Sequence, residues 1–334
     1  MLITAKCDKL LEAEVLQRSS QVVSVVGDRA YIFGGELHPR EPRDNNIYAV
    51  VLNNQVTDEA VTQPQSSLSP TARVGTASAT IGDKIYLFSG RGGVDMAPID
   101  EQGSVWEFDP SSSTWCRIQP SISNSDAVPA ARSYHCMTSD GKDTLFVHAG
   151  CPESGRLSDL WSFSVLRREW KQCAPAFDPP RGGTSITFVG GKIYRMNGFD
   201  GKTEQGGNLD IYTPETDSWN TYIYPADGKN GPSPRSVSAL LPISVLGRSY
   251  LITMFGERDP SSLGHQGAGK MLGDVWIFDI EDKKWEQVEL RGTELPVARG
   301  WFDADVMSTD TIIVHGGLGE SNDRLGDLWK LSFA

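Results

Sequence analysis

An all-β, six-bladed propeller is the fold this sequence predicts, and three periodic features predict it. An arginine precedes an apolar run six times in 334 residues, at Arg18, Arg73, Arg132, Arg181, Arg235 and Arg299. A second apolar run ends each time in a glycine, at Gly35, Gly90, Gly150, Gly198, Gly256 and Gly317, which is 17 to 21 residues after the arginine. A third run carries an aromatic residue, and another follows at a fixed offset, as in Phe108/Trp115, Phe163/Trp170, Tyr212/Trp219 and Phe278/Trp285. Self-similarity at about 50 residues, in apolar runs too short for helices, marks a radial array of small sheets.

Each element follows from local chemistry. Five of the arginines come shortly after a proline (Pro70, Pro129, Pro180, Pro234 and Pro296), which ends the preceding strand and turns the chain inward. The first two runs read as the inner strands. Turn residues such as Asp109-Pro110-Ser111-Ser112 and Thr213-Pro214-Glu215-Thr216 separate the aromatic pairs, so each pair straddles a hairpin. The result is four antiparallel strands per repeat, a period similar to that of kelch repeats. The sixth repeat reaches Trp329 and then ends at Ala334, one strand short. Residues 2–15 are therefore expected to supply the outer strand of the last blade and leave no open edge. A short amphipathic helix is the competing reading, since Leu2, Leu10, Leu11 and Val15 can share a face. The whole chain, 1–334, reads as one domain.

Composition narrows the function. Against 31 basic residues stand 43 acidic ones, a net charge of −12, which argues against nucleic acid or an anionic membrane as partner. No run approaches the ~18 apolar residues of a membrane span. The first eight residues carry no secretory hydrophobic region. Five cysteines (Cys7, Cys116, Cys136, Cys151 and Cys173) are odd in number and lack metal-type spacing. A reducing, cytoplasmic setting is expected. Nothing in the sequence decides between monomer and homodimer.

What recurs in every blade reads as scaffold, so the candidate site is sought among residues that appear in one blade. The arginines should tie loop carbonyls and the tryptophans should pack between blades; His148 and His315, within strand-like runs, belong to the core. In a propeller, residues beside each arginine and residues just after each glycine meet at one mouth of the central channel. There the single-blade features are Arg91, Tyr134, His135, Trp301 and the fifth-blade loop from Glu257 to His265, with a smaller cluster at Glu36 and His38. Glu257, Asp259 and His265 place two carboxylates and an imidazole within nine residues, a donor set suited to a non-haem Fe(II)-type site. The same acids can instead pair with Arg258 or Lys270 on a solvated loop. Nucleophile-elbow, Walker A and Rossmann fingerprints are missing.

The segments Pro129-Ala130-Ala131-Arg132-Ser133-Tyr134-His135, Pro180-Arg181-Gly182-Gly183, Pro234-Arg235-Ser236-Val237 and Ala298-Arg299-Gly300-Trp301, with the loop from Phe255 to Gly269, resemble the plant specifier proteins. These are the nitrile-specifier, epithiospecifier and thiocyanate-forming proteins. The resemblance implies a lyase or rearrangement activity on a thiohydroximate-type substrate supplied by an upstream hydrolase. It implies Fe(II) held by an E-x3-D-x3-H loop, with Glu257 and His265 as outer ligands, Arg91 on the sulfate and Trp301 in the pocket wall. The middle position holds Ser261, and the nearest carboxylate is Asp259. Two other readings stand beside this one: a metal-free funnel that orients a small molecule for cyclisation, and a kelch module that recruits a protein.

Overall fold

The computed structural model describes residues 3–52, 61–121, 128–264 and 267–334. Six sheets form blades around a central channel, and in blades one to five the strands follow chain order outward from it. The innermost strands are Ser19–Val26, Ala77–Ile81, Cys136–Ser139, Ser185–Val189, Ala239–Val245 and Asp303–Ser308. Thr4–Glu12 pairs antiparallel with Arg324–Phe333, so the N-terminal segment is the fourth strand of blade six, as its sequence predicts. Helix in the segment that follows is confined to the single 3-10 turn Glu14–Leu16.

The core lies between blades. Six apolar clusters among the described residues each combine side chains of two neighbouring blades. Burying such faces supplies the main driving force, at roughly 25 cal/mol per Å². The outer-strand tryptophans act here: Trp115 packs on Phe33 and Trp170 on Phe88, each pair with ring centroids 5.3 Å apart and each reaching back to the preceding blade.

The repeated arginines are buried to the last atom or nearly so. Each donates from Nη1 to the carbonyl just before its blade's glycine, for example Arg132 to Ala149 at 3.0 Å and Arg299 to Gly316 at 3.0 Å. Four also hold a carboxylate on the third strand or in the loop just before it, at 3.0 Å or less: Arg73 with Glu101, Arg132 with Asp159, Arg235 with Asp274 and Arg299 with Asp327. Arg18 has Asp44 at 3.4 Å. Arg181 has no such partner among the described residues, and burial pushes its guanidinium down to about 10.

Two closed belts of main-chain hydrogen bonds run around the mouth. In the first, each blade's glycine N–H donates to the next blade's arginine carbonyl, ending with Gly317 to Arg18, at 2.8 to 3.0 Å. In the second, the residues two after the arginines are linked: Ser20 N–H donates to Trp301, Gly75 to Ser20, Tyr134 to Gly75, Gly183 to Tyr134, Val237 to Gly183 and Trp301 to Val237, at 2.7 to 3.2 Å. All six belt residues have φ between +47° and +60°. Only Gly75 and Gly183 adopt this without steric cost; Ser20, Tyr134, Val237 and Trp301 are held there by the ring they complete.

Candidate small-molecule site at the propeller mouth

Tyr134 and Trp301 come from opposite blades and meet edge to face over the channel, ring centroids 5.2 Å apart. The left-handed backbone at both positions turns these side chains toward the axis. They divide the interior in two: a channel of about 390 Å³ below and a mouth cavity of about 240 Å³ above, with both residues lining each.

All six blades contribute to the mouth cavity, and three arginines line it: Arg91, Arg156 and Arg324. Arg324 is neutralised, its Nη2 donating to Glu36 Oε1 at 3.0 Å. Arg91 and Arg156 have no carboxylate within 4 Å among the described residues, and the Nε of each is buried without a hydrogen-bond partner. Arg91 is held by main-chain exchange with Val74, 2.9 Å in both directions. Arg156 lies over the Phe199 ring at 5.1 Å. Two half-buried guanidiniums, each with a buried Nε donor open, can receive a planar or tetrahedral oxyanion.

The fifth-blade side is acidic. Glu257 follows the belt glycine, is 6% exposed, and its Oε1 accepts the Gly269 N–H at 2.7 Å. A Cβ at Gly269 would stand 2.7 Å from that oxygen, so the loop closes over Glu257 only with glycine there. Burial pushes the Glu257 carboxyl up, the Gly269 N–H and Trp301 draw it back, and the charge of Glu204 raises it further. Glu204, from blade four, lines the same cavity, is raised chiefly by burial, and has Oε1 buried without a partner.

The expected residues are thus only partly brought together. Arg91, Tyr134, Glu257 and Trp301 line one cavity. His135 does not reach it: it lines the channel below, and its ring stands edge-on to Phe88 at 5.7 Å. Burial pushes that imidazole down to about 3. Asp259 is also elsewhere, its side chain 76% exposed and 3.5 Å from Arg258, the solvated pairing its sequence allows. Ser261 does line the cavity and caps the turn beyond it, accepting the Leu263 N–H on Oγ at 3.1 Å. His265 lies outside the described residues. Among the described residues no three His, Cys, Asp or Glu side chains converge to hold a metal. Against the proposed iron set, Glu257 fits as a buried carboxylate facing the cavity, and Asp259 does not. The open oxygen of Glu204 is the feature that most resembles a vacant ligand.

Arg156 and Glu204 escape a sequence reading because each stands six residues after its blade's glycine, Gly150 or Gly198, whereas Arg91 and Glu257 stand one after theirs. Searching the whole loop after each glycine would have found them.

Residues 20–256 match the KLHDC2/KLHL20/DRC7 Kelch-repeats domain. A Thlaspi arvense protein named N-(sulfonatooxy)prop-2-enimidothioate sulfolyase is 28% identical, over 93% of this chain and 91% of its own length. Adagio-like protein 3 of Oryza sativa subsp. japonica is 26% identical over 88% of this chain, and host cell factor 2 of Homo sapiens 25% over 74%. This chain spans 45% and 31% of those two proteins.

Proposed function

The chain belongs to the kelch-repeat family and resembles its specifier members along nearly its full length, and from that premise we propose that its mouth cavity is the active site of a specifier-like sulfolyase. The substrate class is a small thiohydroximate O-sulfate. The observation that carries this reading is the pair Arg91 and Arg156, two guanidiniums without carboxylate partners among the described residues, in a cavity whose third arginine is already neutralised.

In this reading Arg91 and Arg156 bind the sulfate and stabilise it as the N–O bond breaks and the electron pair departs on the leaving group. Tyr134 and Trp301 form an apolar floor that excludes water from the channel side and orients the remainder of the substrate. Fe(II), held by Glu257 and His265 with Glu204 as third donor in place of Asp259, would supply Lewis acidity at the substrate sulfur when bound. An upstream hydrolase would release the unstable substrate. No helix among the described residues is long and apolar enough to cross a membrane, and all five cysteines are free, which supports a cytoplasmic setting.

The test is product analysis with a thioglucosidase generating the aglycone in place. Enzyme should give nitrile, epithionitrile or thiocyanate with stoichiometric sulfate, and Arg91→Ala should lower that yield about a hundredfold. An unchanged product mixture on adding wild-type protein with Fe(II) would refute the reading.

A further inference from the structure

An arginine can be held in place in two ways, and the mouth cavity uses both. Arg324 is held by a carboxylate: its Nη2 donates to Glu36 Oε1 at 3.0 Å, which fixes the guanidinium and neutralises it. Arg156 is held differently. Among the described residues it has no carboxylate within 4 Å and no partner for its buried Nε, and its Cζ lies 5.1 Å from the centroid of the Phe199 ring. A ring face attracts the cation without taking up its N–H donors, which lie in the guanidinium plane.

The blade-four loop is shaped to this task. Of the six residues that directly follow the blade glycines, only Phe199 is aromatic. It exchanges main-chain hydrogen bonds with Gly182, at 2.9 and 3.1 Å, which anchors it at the cavity wall. The acid beside it, Asp200, turns back into its own loop. Asp200 Oδ1 accepts the Lys202 and Thr203 N–H groups at 2.7 and 2.8 Å, and Oδ2 accepts from Gln205 Nε2 at 3.0 Å. Gly201 then leaves room for the arginine. Its φ is +103°, and a Cβ there would stand 2.6 Å from Arg156 Nη1 and 3.2 Å from Cζ. A side chain at 201 would therefore take the place of the guanidinium.

We infer that Phe199 and Gly201 form a slot that positions Arg156 for its oxyanion while leaving its charge unpaired. The inference rests on the anion-receptor reading of the cavity and adds two positioning residues to it. Both belong to blade four and Arg156 to blade three, so the slot spans a seam. A long, flexible side chain loses rotamer freedom when it grips a ligand, and a slot that limits this freedom beforehand strengthens binding. Leucine at 199 would keep apolar bulk and lose the ring face; tyrosine would keep the face.

The experiment is a double-mutant cycle read by calorimetry, with an S-methyl thiohydroximate O-sulfate as the bound probe. Phe199→Leu should weaken binding about fivefold, and Phe199→Tyr should stay within about twofold of wild type. In the Arg156→Ala background, Phe199→Leu should change affinity by less than about twofold, because the residue it positions is gone. Gly201→Ala gives a second cycle. It should weaken binding about tenfold when Arg156 is present and less than about twofold when Arg156 is absent, so that any backbone strain at 201 cancels between the backgrounds. Equal losses in both backgrounds would overturn the inference, as would full affinity in both Phe199→Leu and Gly201→Ala while Arg156→Ala binds weakly. If Arg156→Ala itself binds like wild type, the receptor reading fails at its source and the slot falls with it.

Discussion

Ser20 donates its main-chain N–H to the Trp301 carbonyl at 2.7 Å, joining the first belt residue to the last. This bond closes a ring that passes once through every blade and fixes the backbone of both aromatic residues in the cavity floor. Scaffold and site therefore share atoms: the belt closes the propeller, and its two aromatic members make a floor where an open channel would otherwise run.

The arginines of the cavity should separate by partnership. Arg156→Ala should lower turnover about tenfold to a hundredfold, since it removes an open anion donor. Arg324→Ala should act mainly on stability, because that guanidinium is engaged with Glu36 and its loss leaves a largely buried carboxylate unpaired. Steady-state kinetics together with thermal midpoints distinguish the two outcomes.

Restoring a carboxylate at position 261 should strengthen metal binding. Ser261 lines the cavity four residues after Glu257. Its hydroxyl serves as a turn acceptor, a role aspartate also performs. Ser261→Asp should bind Fe(II) at least tenfold more tightly than wild type by calorimetry under anaerobic conditions, and Asp259→Asn should match wild type. Weaker binding by Ser261→Asp would show that the loop aims this position away from the metal.

Breaking one scaffold pair should be costly. Arg299 is fully buried and makes two bonds to Asp327, at 2.7 and 2.8 Å. Asp327→Ala strands that guanidinium and should cost about 3–5 kcal/mol in denaturant unfolding. The double replacement Arg299→Met with Asp327→Leu should recover a large part of the loss. A cost below about 1 kcal/mol for the single variant would mean that water replaces the carboxylate freely.

Acid should destabilise the fold through its histidines. Burial holds His135 and His315 down to about 3 and His148 well below its ordinary value. An imidazole whose folded pKa is depressed contributes full stability above about pH 6.5 and loses it as pH falls, by roughly 1.4 kcal/mol per unit for each group. His315→Gln should therefore gain on wild type between pH 6.5 and 5. Parallel unfolding curves at both pH values would contradict this assignment.

The propeller was legible because its determinants repeat. Arg18 and Arg299 are 281 residues apart yet occupy equivalent places, and spacing alone exposes them. The carboxylates that hold them were harder to see: Asp159, Asp274 and Asp327 each stand two residues before a tryptophan, but Glu101 stands five before Trp106. In the site, Tyr134 and Trp301 were legible as large residues at positions that are small in other blades. Asp259 misled because proximity in sequence says nothing of direction; φ of +50° at that residue points its carboxylate to solvent. His135 misled for the related reason that sequence adjacency to Tyr134 does not put it in the same cavity: it lines the channel on the other side of the floor.

The claim that the mouth cavity is an oxyanion receptor for a thiohydroximate sulfate is tested most directly by equilibrium binding of a sulfur-capped substrate analogue. An S-methyl thiohydroximate O-sulfate retains the sulfate and cannot expel it through a free thiolate. Calorimetry should show one molecule bound per chain, with affinity reduced at least tenfold by Arg91→Ala and again by adding Arg156→Ala, and unchanged by Arg258→Ala. Equal affinity in wild type and the Arg91→Ala, Arg156→Ala double variant would contradict the account.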